Sequence, residues 1–355
     1  MVADGGLSDR LLVATIDGIV TLEKGPDGWR EEGRSLQGHH FSALVAVPGS
    51  NIILAGTHGQ GVFRSSDGGV SWSSANTGIT KTNVFSLAAV QTEGGVRVLA
   101  GTEPVSLFIS DDLGESWEER SAVGEVPGHD KWTFPVPPHD AHLKSIALVP
   151  GQPDSFFACI EQGALLKTDD GGKSWRELAS YYRDSDKWYR DIHKLVPHPA
   201  IPGCLLMSTG MGFYRSEDSG ENWVQLTDLD FAIRYPDHLL VLPDEANSIV
   251  LSGAGQSPDQ WRNTHLAGAT VQFSRDGGRH WEDMSQGLQA DARPAIEAMC
   301  IAADGPDYRL YLGDTDGNVF ERGPGDVSWR LIASGIGPVS KVGHYRHVQK
   351  PATAS

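Results

Sequence analysis

The octapeptide SSDGGVSW, from Ser65 to Trp72, decides the fold because it recurs. Its pattern Ser/Thr-x-Asp-x-Gly-x-x-Trp returns as SDDLGESW (Ser110 to Trp117), TDDGGKSW (Thr168 to Trp175), SEDSGENW (Ser216 to Trp223) and SRDGGRHW (Ser274 to Trp281). A unit repeated in register every several tens of residues marks a repeat architecture, in which each copy buries its apolar face against its neighbours. The physics of the motif is local. An Asp side chain can accept from backbone N–H groups further along, the Gly supplies positive φ, and the Trp anchors the following strand. Asp67, Asp112, Asp170, Asp218 and Asp276 are therefore expected to clip hairpins, not to bind calcium or act as catalytic acids.

Two degenerate copies, GPDGW ending at Trp29 and GPGDVSW ending at Trp329, extend the series of anchoring tryptophans to seven: 29, 72, 117, 175, 223, 281 and 329. Each full unit reads as four short strands, for example FSALVAVP, NIILAGT, GVFRS and a last strand near the Trp. The expectation is all-β: one seven-bladed β-propeller over 1–355, built of four-stranded antiparallel blades. The blades are placed at 10–37 plus 338–348, 38–79, 82–120, 142–178, 191–227, 236–285 and 295–333. The first unit opens on LLVATIDG, which reads as a second strand, so VSKVGHYRHV near the C-terminus is expected to supply its inner strand and close the ring from both termini.

The motif resembles the Asp-box, or bacterial neuraminidase repeat, shared by sialidases, sortilin-type receptors and photosystem II assembly factors. The resemblance covers nearly the whole chain and implies the propeller fold; it does not imply one reaction. The sialidase catalytic pattern is incomplete, because no Arg-Ile-Pro occurs and the nearest string, Ile233-Arg234-Tyr235-Pro236, lies in a late unit.

A formal charge of −17 and a pI near 5.1 disfavour nucleic acid and anionic membranes as partners. No apolar window approaches a membrane span, and the N-terminal stretch lacks the pattern of a signal peptide, so a cytoplasmic location is expected. Cys159, Cys204 and Cys300 lie far apart in apolar runs and read as small buried hydrophobes.

Loop extensions fall at 121–141, 179–190 and 253–270, all expected on the face opposite the boxes. They hold the three non-anchoring tryptophans, Trp132, Trp188 and Trp261, together with Tyr189. These aromatics are candidates to wall a ligand pocket or, alternatively, to bury their own loops. His129 and His139, on the Pro-rich extension, are candidates for a lid. Arg190, Arg234 and Arg293, each just before an inner strand, could together hold an acidic ligand, or could be separate surface ion-pair partners.

Inner strands start near the axis on that face, so residues at their starts converge. His40, His142, His193 and His238, with Glu103, form a candidate set for a divalent metal ion; a polar funnel without metal is the alternative. His142, His193, Glu161, His58 and Glu297 are the candidate acid–base groups. No nucleotide cofactor is expected. The leading expectation is an enzyme, hydrolase or lyase, acting on a small polar molecule in the central funnel. The alternatives are a protein-docking propeller and a carbohydrate-binding or sialidase-like glycoside hydrolase.

Overall fold

The computed structural model describes residues 1–3, 9–182, 190–228, 230–243, 247–289, 293–343 and 345–348. Seven four-stranded antiparallel sheets surround a central channel. Their innermost strands, blade 1 to blade 7, are Val2–Ala3, Phe41–Ala46, Asn83–Thr92, Leu143–Leu148, Ile192–Pro197, Tyr235–Val241 and Ile296–Asp304. Second strands such as Ile53–Thr57, Phe156–Ile160 and Leu205–Thr209 are buried along their whole length, because neighbouring blades cover both faces. Apolar clusters accordingly bridge consecutive blades: Leu54 and Val62 of blade 2 pack with Val84, Val98 and Phe108 of blade 3. Each such fully buried side chain contributes about 1.5 to 3 kcal/mol over exposure.

The boxes form the expected clips. Asp67 Oδ1 accepts from the Val70 and Ser71 backbone N–H groups at 3.0 and 2.9 Å, and the buried Ser65 Oγ accepts from Gly69 N–H at 2.7 Å. The arrangement repeats around Asp112, Asp170 and Asp276, and around Asp218 through Asn222. Gly68, Gly171 and Gly277 donate backbone hydrogen bonds to Asn51, Asp154 and Asn247, which turn between first and second strands. Boxes and these turns therefore share one face. The turns between second and third strands open on the other.

Blade 1 departs from the expected closure. Val2 and Ala3 pair with Leu12 and Leu11, so all four of its strands come from the start of the chain, and none of the described residues of 338–348 is in a strand. With the inner position filled, and with Pro338 unable to donate to a ladder, the C-terminal segment takes another path. Ile16 N–H donates to Pro338 O and Val339 N–H to Asp314 O, which lays the segment across the seam between blades 7 and 1. Ile336 and Val339 join the seam core with Leu11, Val13 and Tyr311. Beyond it, 340–343 enters the channel mouth and Tyr345–Val348 forms helix α2. No helix among the described residues is long and apolar enough to cross a membrane. The three cysteines are free.

Candidate functional site

Six inner strands share an irregularity. In blade 4, Leu143 faces Ile160 while Ser145 faces Cys159, so Lys144 is an extra, unpaired residue. The same shift leaves Ser42, Phe85, His193, Asp237 and Glu297 unpaired in blades 2, 3, 5, 6 and 7. A β-bulge re-aims its residue away from the ladder, and repeated at one depth it forms a ring around the axis. Side chains of preceding blades bond the carbonyls next to these bulges: Ser42 Oγ donates to Val84 O, Ser86 Oγ to Leu143 O at 2.7 Å, and His193 Nδ1 contacts Pro236 O at 2.6 Å.

Four bulge residues, Phe85, Lys144, Asp237 and Glu297, line one narrow pocket with Glu161 and Tyr235 that is partly open to solvent. Trp261, buried on helix α1 (Pro258–Thr264), and Val342 of the C-terminal segment complete its wall. Pro258 at the first helical turn and the reciprocal capping of Ser257 and Gln260 start α1 here. Gly253 is required by close approach, since a Cβ there would lie 2.3 Å from Tyr235 O.

Charge is concentrated within this pocket. Lys144 Nζ lies 2.7 Å from Glu161 Oε1, and His142 Nε2 lies 2.7 Å from Glu161 Oε2. Burial opposes the Lys144 ammonium, but Glu161, Asp237 and Asp191 outweigh it and raise its pKa. Burial likewise opposes ionisation of Glu161, yet Lys144 and His142 hold its carboxyl well below the ordinary range. His142 stacks on Phe85 at 3.9 Å; burial works against its charged form, but Glu103 and Glu161 raise its pKa. For Asp237, burial is outweighed by His238, 3.1 Å away, and by Lys144 and Lys341, so the carboxylate is anionic. Burial lowers His238 to about 4, against the opposing pull of Asp237. Burial lowers Lys341 to about 8. Glu297 Oε2 accepts from Ser340 Oγ at 2.8 Å and Lys341 N–H at 3.1 Å, which ties the C-terminal segment to the site.

The proposed metal set is dispersed. His40 stacks with His58 at 4.3 Å, and the two rings donate to the Ser340 and Lys341 carbonyls at 2.8 and 2.7 Å, respectively. His142 is engaged by Glu161 and lies 3.5 Å from Glu103, which also accepts from Asn83; His238 faces Asp237. Of that set only His193 joins a group with metal-ligand spacing, and its companions are Glu161 and Asp191.

The arginines do not converge either. Arg190 lies over the Tyr182 ring at 4.1 Å, Arg234 is exposed, and Arg293 is paired with Asp316 and with Val348 O. Trp132 is half-buried beneath its own loop, packed with the core that includes Ile160. Trp188 and Tyr189 lie outside the described residues. Of the lid candidates, His139 lies 2.9 Å from Phe134 O and His129 3.1 Å from Val126 O, both within the extension. Phe134, Val136, Pro137 and Pro138 wall a second opening, shared with His40, His58, Tyr345 and Arg346, and joined to the first at Phe85 and Val342.

The sequence reading gave no role to Lys144 or Lys341. A signal exists for the bulges. Apolar residues at 41 and 44, 84 and 87, 143 and 146, 192 and 195, 236 and 239, and 296 and 299 are three apart, where an unbroken strand has even spacing.

No protein-family model matches the sequence, and no curated relative does. Solved structures share its shape. An ancestral GH74 enzyme aligns with TM-score 0.64 at 19% identity over 82% of this chain and 37% of its own. The Niastella koreensis GH74 enzyme aligns with TM-score 0.60 at 14% identity over 90% of this chain and 46% of its own. YCF48 bound to D1 peptide aligns with TM-score 0.58 at 14% identity over 92% and 97%. The chain spans less than half the length of either GH74 enzyme. What it has in common with all three is the β-propeller fold.

Proposed function

We propose that the channel mouth is an active site performing acid–base chemistry, hydrolysis or elimination, on a small hydroxylated molecule such as a sugar or hydroxy acid. One observation carries this: Lys144, Glu161, Asp237 and Glu297, contributed by three blades, are packed with Tyr235 and Trp261 around a single pocket. Burying so many ionisable groups costs several kcal/mol each when they are charged and uncompensated, an expense a purely structural core avoids with apolar residues. The carboxylates suit substrate hydroxyls, and the aromatic walls suit the apolar faces of a ring. Lys144, held cationic, would stabilise negative charge developing on a substrate oxygen, while Glu297 moves the proton.

A thermal-shift and ligand-observed NMR screen of sugars, sugar acids and hydroxy acids tests this. At least one class should raise the melting temperature of the native chain and be consumed on incubation, and Lys144→Met and Glu297→Gln should abolish both effects. A panel without binders, or binding unchanged in both variants, would sink the reading.

A second reading, peptide docking, is favoured by the likeness to YCF48 in its complex with a D1 peptide, which extends over nearly the whole of both chains. The opening walled by Phe134, Val136, Pro137, Pro138 and Tyr345 would be the docking groove. A partner captured by the native chain and lost on shortening 121–138 would support it.

A further inference from the structure

We infer that Glu161, Asp191 and His193 form a binding site for one divalent transition-metal ion, adjoining the pocket at Glu161. The inference rests on the reading of the channel mouth as an active site and specifies what that site holds.

Candidate ligand atoms of these three residues, one from each, lie within 4.8 Å of one another. Glu161 follows the second strand of blade 4, and Asp191 and His193 flank Ile192 at the start of the inner strand of blade 5, so two blades build the cluster. All three side chains are at least nine-tenths buried: Glu161 3%, Asp191 5% and His193 1% exposed.

The decisive feature is the orientation of His193. Its Nδ1 lies 2.6 Å from the Pro236 carbonyl, an acceptor only, so Nδ1 carries the proton. In the neutral ring Nε2 then presents a lone pair. That lone pair lies 3.2 Å from Asp191 Oδ2, yet the pair lacks hydrogen-bond geometry, and both His193 Nε2 and Asp191 Oδ1 are buried without a hydrogen-bond partner. A cation bound here would give both open atoms a partner, and an imidazole whose other nitrogen donates to a backbone carbonyl is the usual arrangement of a metal-bound histidine.

Neighbours hold the other two ligands. Asp191 Oδ2 accepts from the Tyr235 hydroxyl at 3.4 Å, and Tyr235 packs on the His193 ring at 4.4 Å. Gly210 leaves space for the Asp191 carboxylate, since a Cβ there would come within 2.7 Å of Oδ2. Glu161 is braced by His142 and Lys144. Two carboxylates and an imidazole form a mixed N/O set that suits Zn²⁺ or Mn²⁺. Three protein ligands leave positions for water or a substrate oxygen, where the ion would act as a Lewis acid.

The test uses the full chain without a histidine tag, stripped with chelator and titrated calorimetrically with Zn²⁺ and with Mn²⁺. One ion should bind per chain, and His193→Gln and Asp191→Asn should each weaken it at least 100-fold. Co²⁺ added to the native chain should give visible absorption bands that Zn²⁺ displaces, a readout independent of whether either variant folds. A stripped native chain that binds neither ion, or binds it equally well in His193→Gln with native circular dichroism, would overturn the inference. A native chain that binds neither ion yet consumes a ligand in the screen above would overturn this site and leave the active-site reading standing, so the two failures are distinguishable.

Discussion

His58 offers a pH test of how the C-terminal segment is held. Its ring donates to Lys341 O, lies against His40 and Phe85, and faces Glu103 and His142; Arg346 and Glu297 approach the adjoining His40. Burial, reinforced by His40, lowers its pKa from 6.5 to about 4. The unfolded chain thus takes up a proton near pH 6.5 that the folded chain refuses until about pH 4. Stability from the neutral ring is complete above 6.5 and is lost as pH falls through that window. A gap of about 2.5 pH units at 1.36 kcal/mol each corresponds to about 3 kcal/mol by pH 4. For a chain of this size that is about 4 °C in melting temperature. His58→Gln keeps a donor for Lys341 O and cannot be protonated. Between pH 7.5 and 4 the native chain should lose about 3 kcal/mol more than the variant in urea denaturation, with amide exchange at 338–343 accelerating first. Because other groups, His238 among them, titrate in both proteins, the comparison is of slopes; parallel slopes would refute the reasoning.

Three further outcomes follow from the geometry. Lys144→Met and Glu161→Gln should each cost about 3 to 5 kcal/mol by stranding a buried charge, and the double variant should cost less than the sum, read by a denaturation double-mutant cycle. Ser65→Ala should cost about 2 kcal/mol, because Gly69 N–H loses its buried acceptor, while ligand binding at the mouth stays unchanged. Gly253→Ala should destabilise by about 1 to 3 kcal/mol and weaken ligand binding, since its new Cβ would press on the Tyr235 and Pro236 backbone.

The propeller was legible because its determinants are local. Ser65, Asp67, Gly69 and Trp72 interact within eight residues, so their spacing states the hairpin directly. Inner-strand starts and second-strand turns do converge on the axis, and there His142 meets Glu161, which lies near His193. Blade 1 was misread because a two-residue strand, Val2–Ala3, leaves almost no periodic signal, whereas the apolar run after Pro338 is longer. The arginines were grouped by sequence position alone; a long side chain takes its partner from the nearest carboxylate or ring, as Arg293 does from Asp316. Lys144 was overlooked because in regular alternation it would share a face with Ile146, and only the bulge turns it toward the axis.

The bulges also separate two kinds of change. A residue in register belongs to a ladder and to a packed layer, so replacing it disturbs pairing or core. An inserted residue belongs to neither, and Ser42, Phe85, Lys144, His193, Asp237 and Glu297 show the breadth tolerated: hydroxyl, aromatic, cation, imidazole and two carboxylates at equivalent depth. The ring works as a keyboard of six positions outside the ladder, so a change at one leaves strand pairing intact even where, as at Lys144, it strands a buried charge. Redesigning specificity would begin there, with strand pairing left untouched.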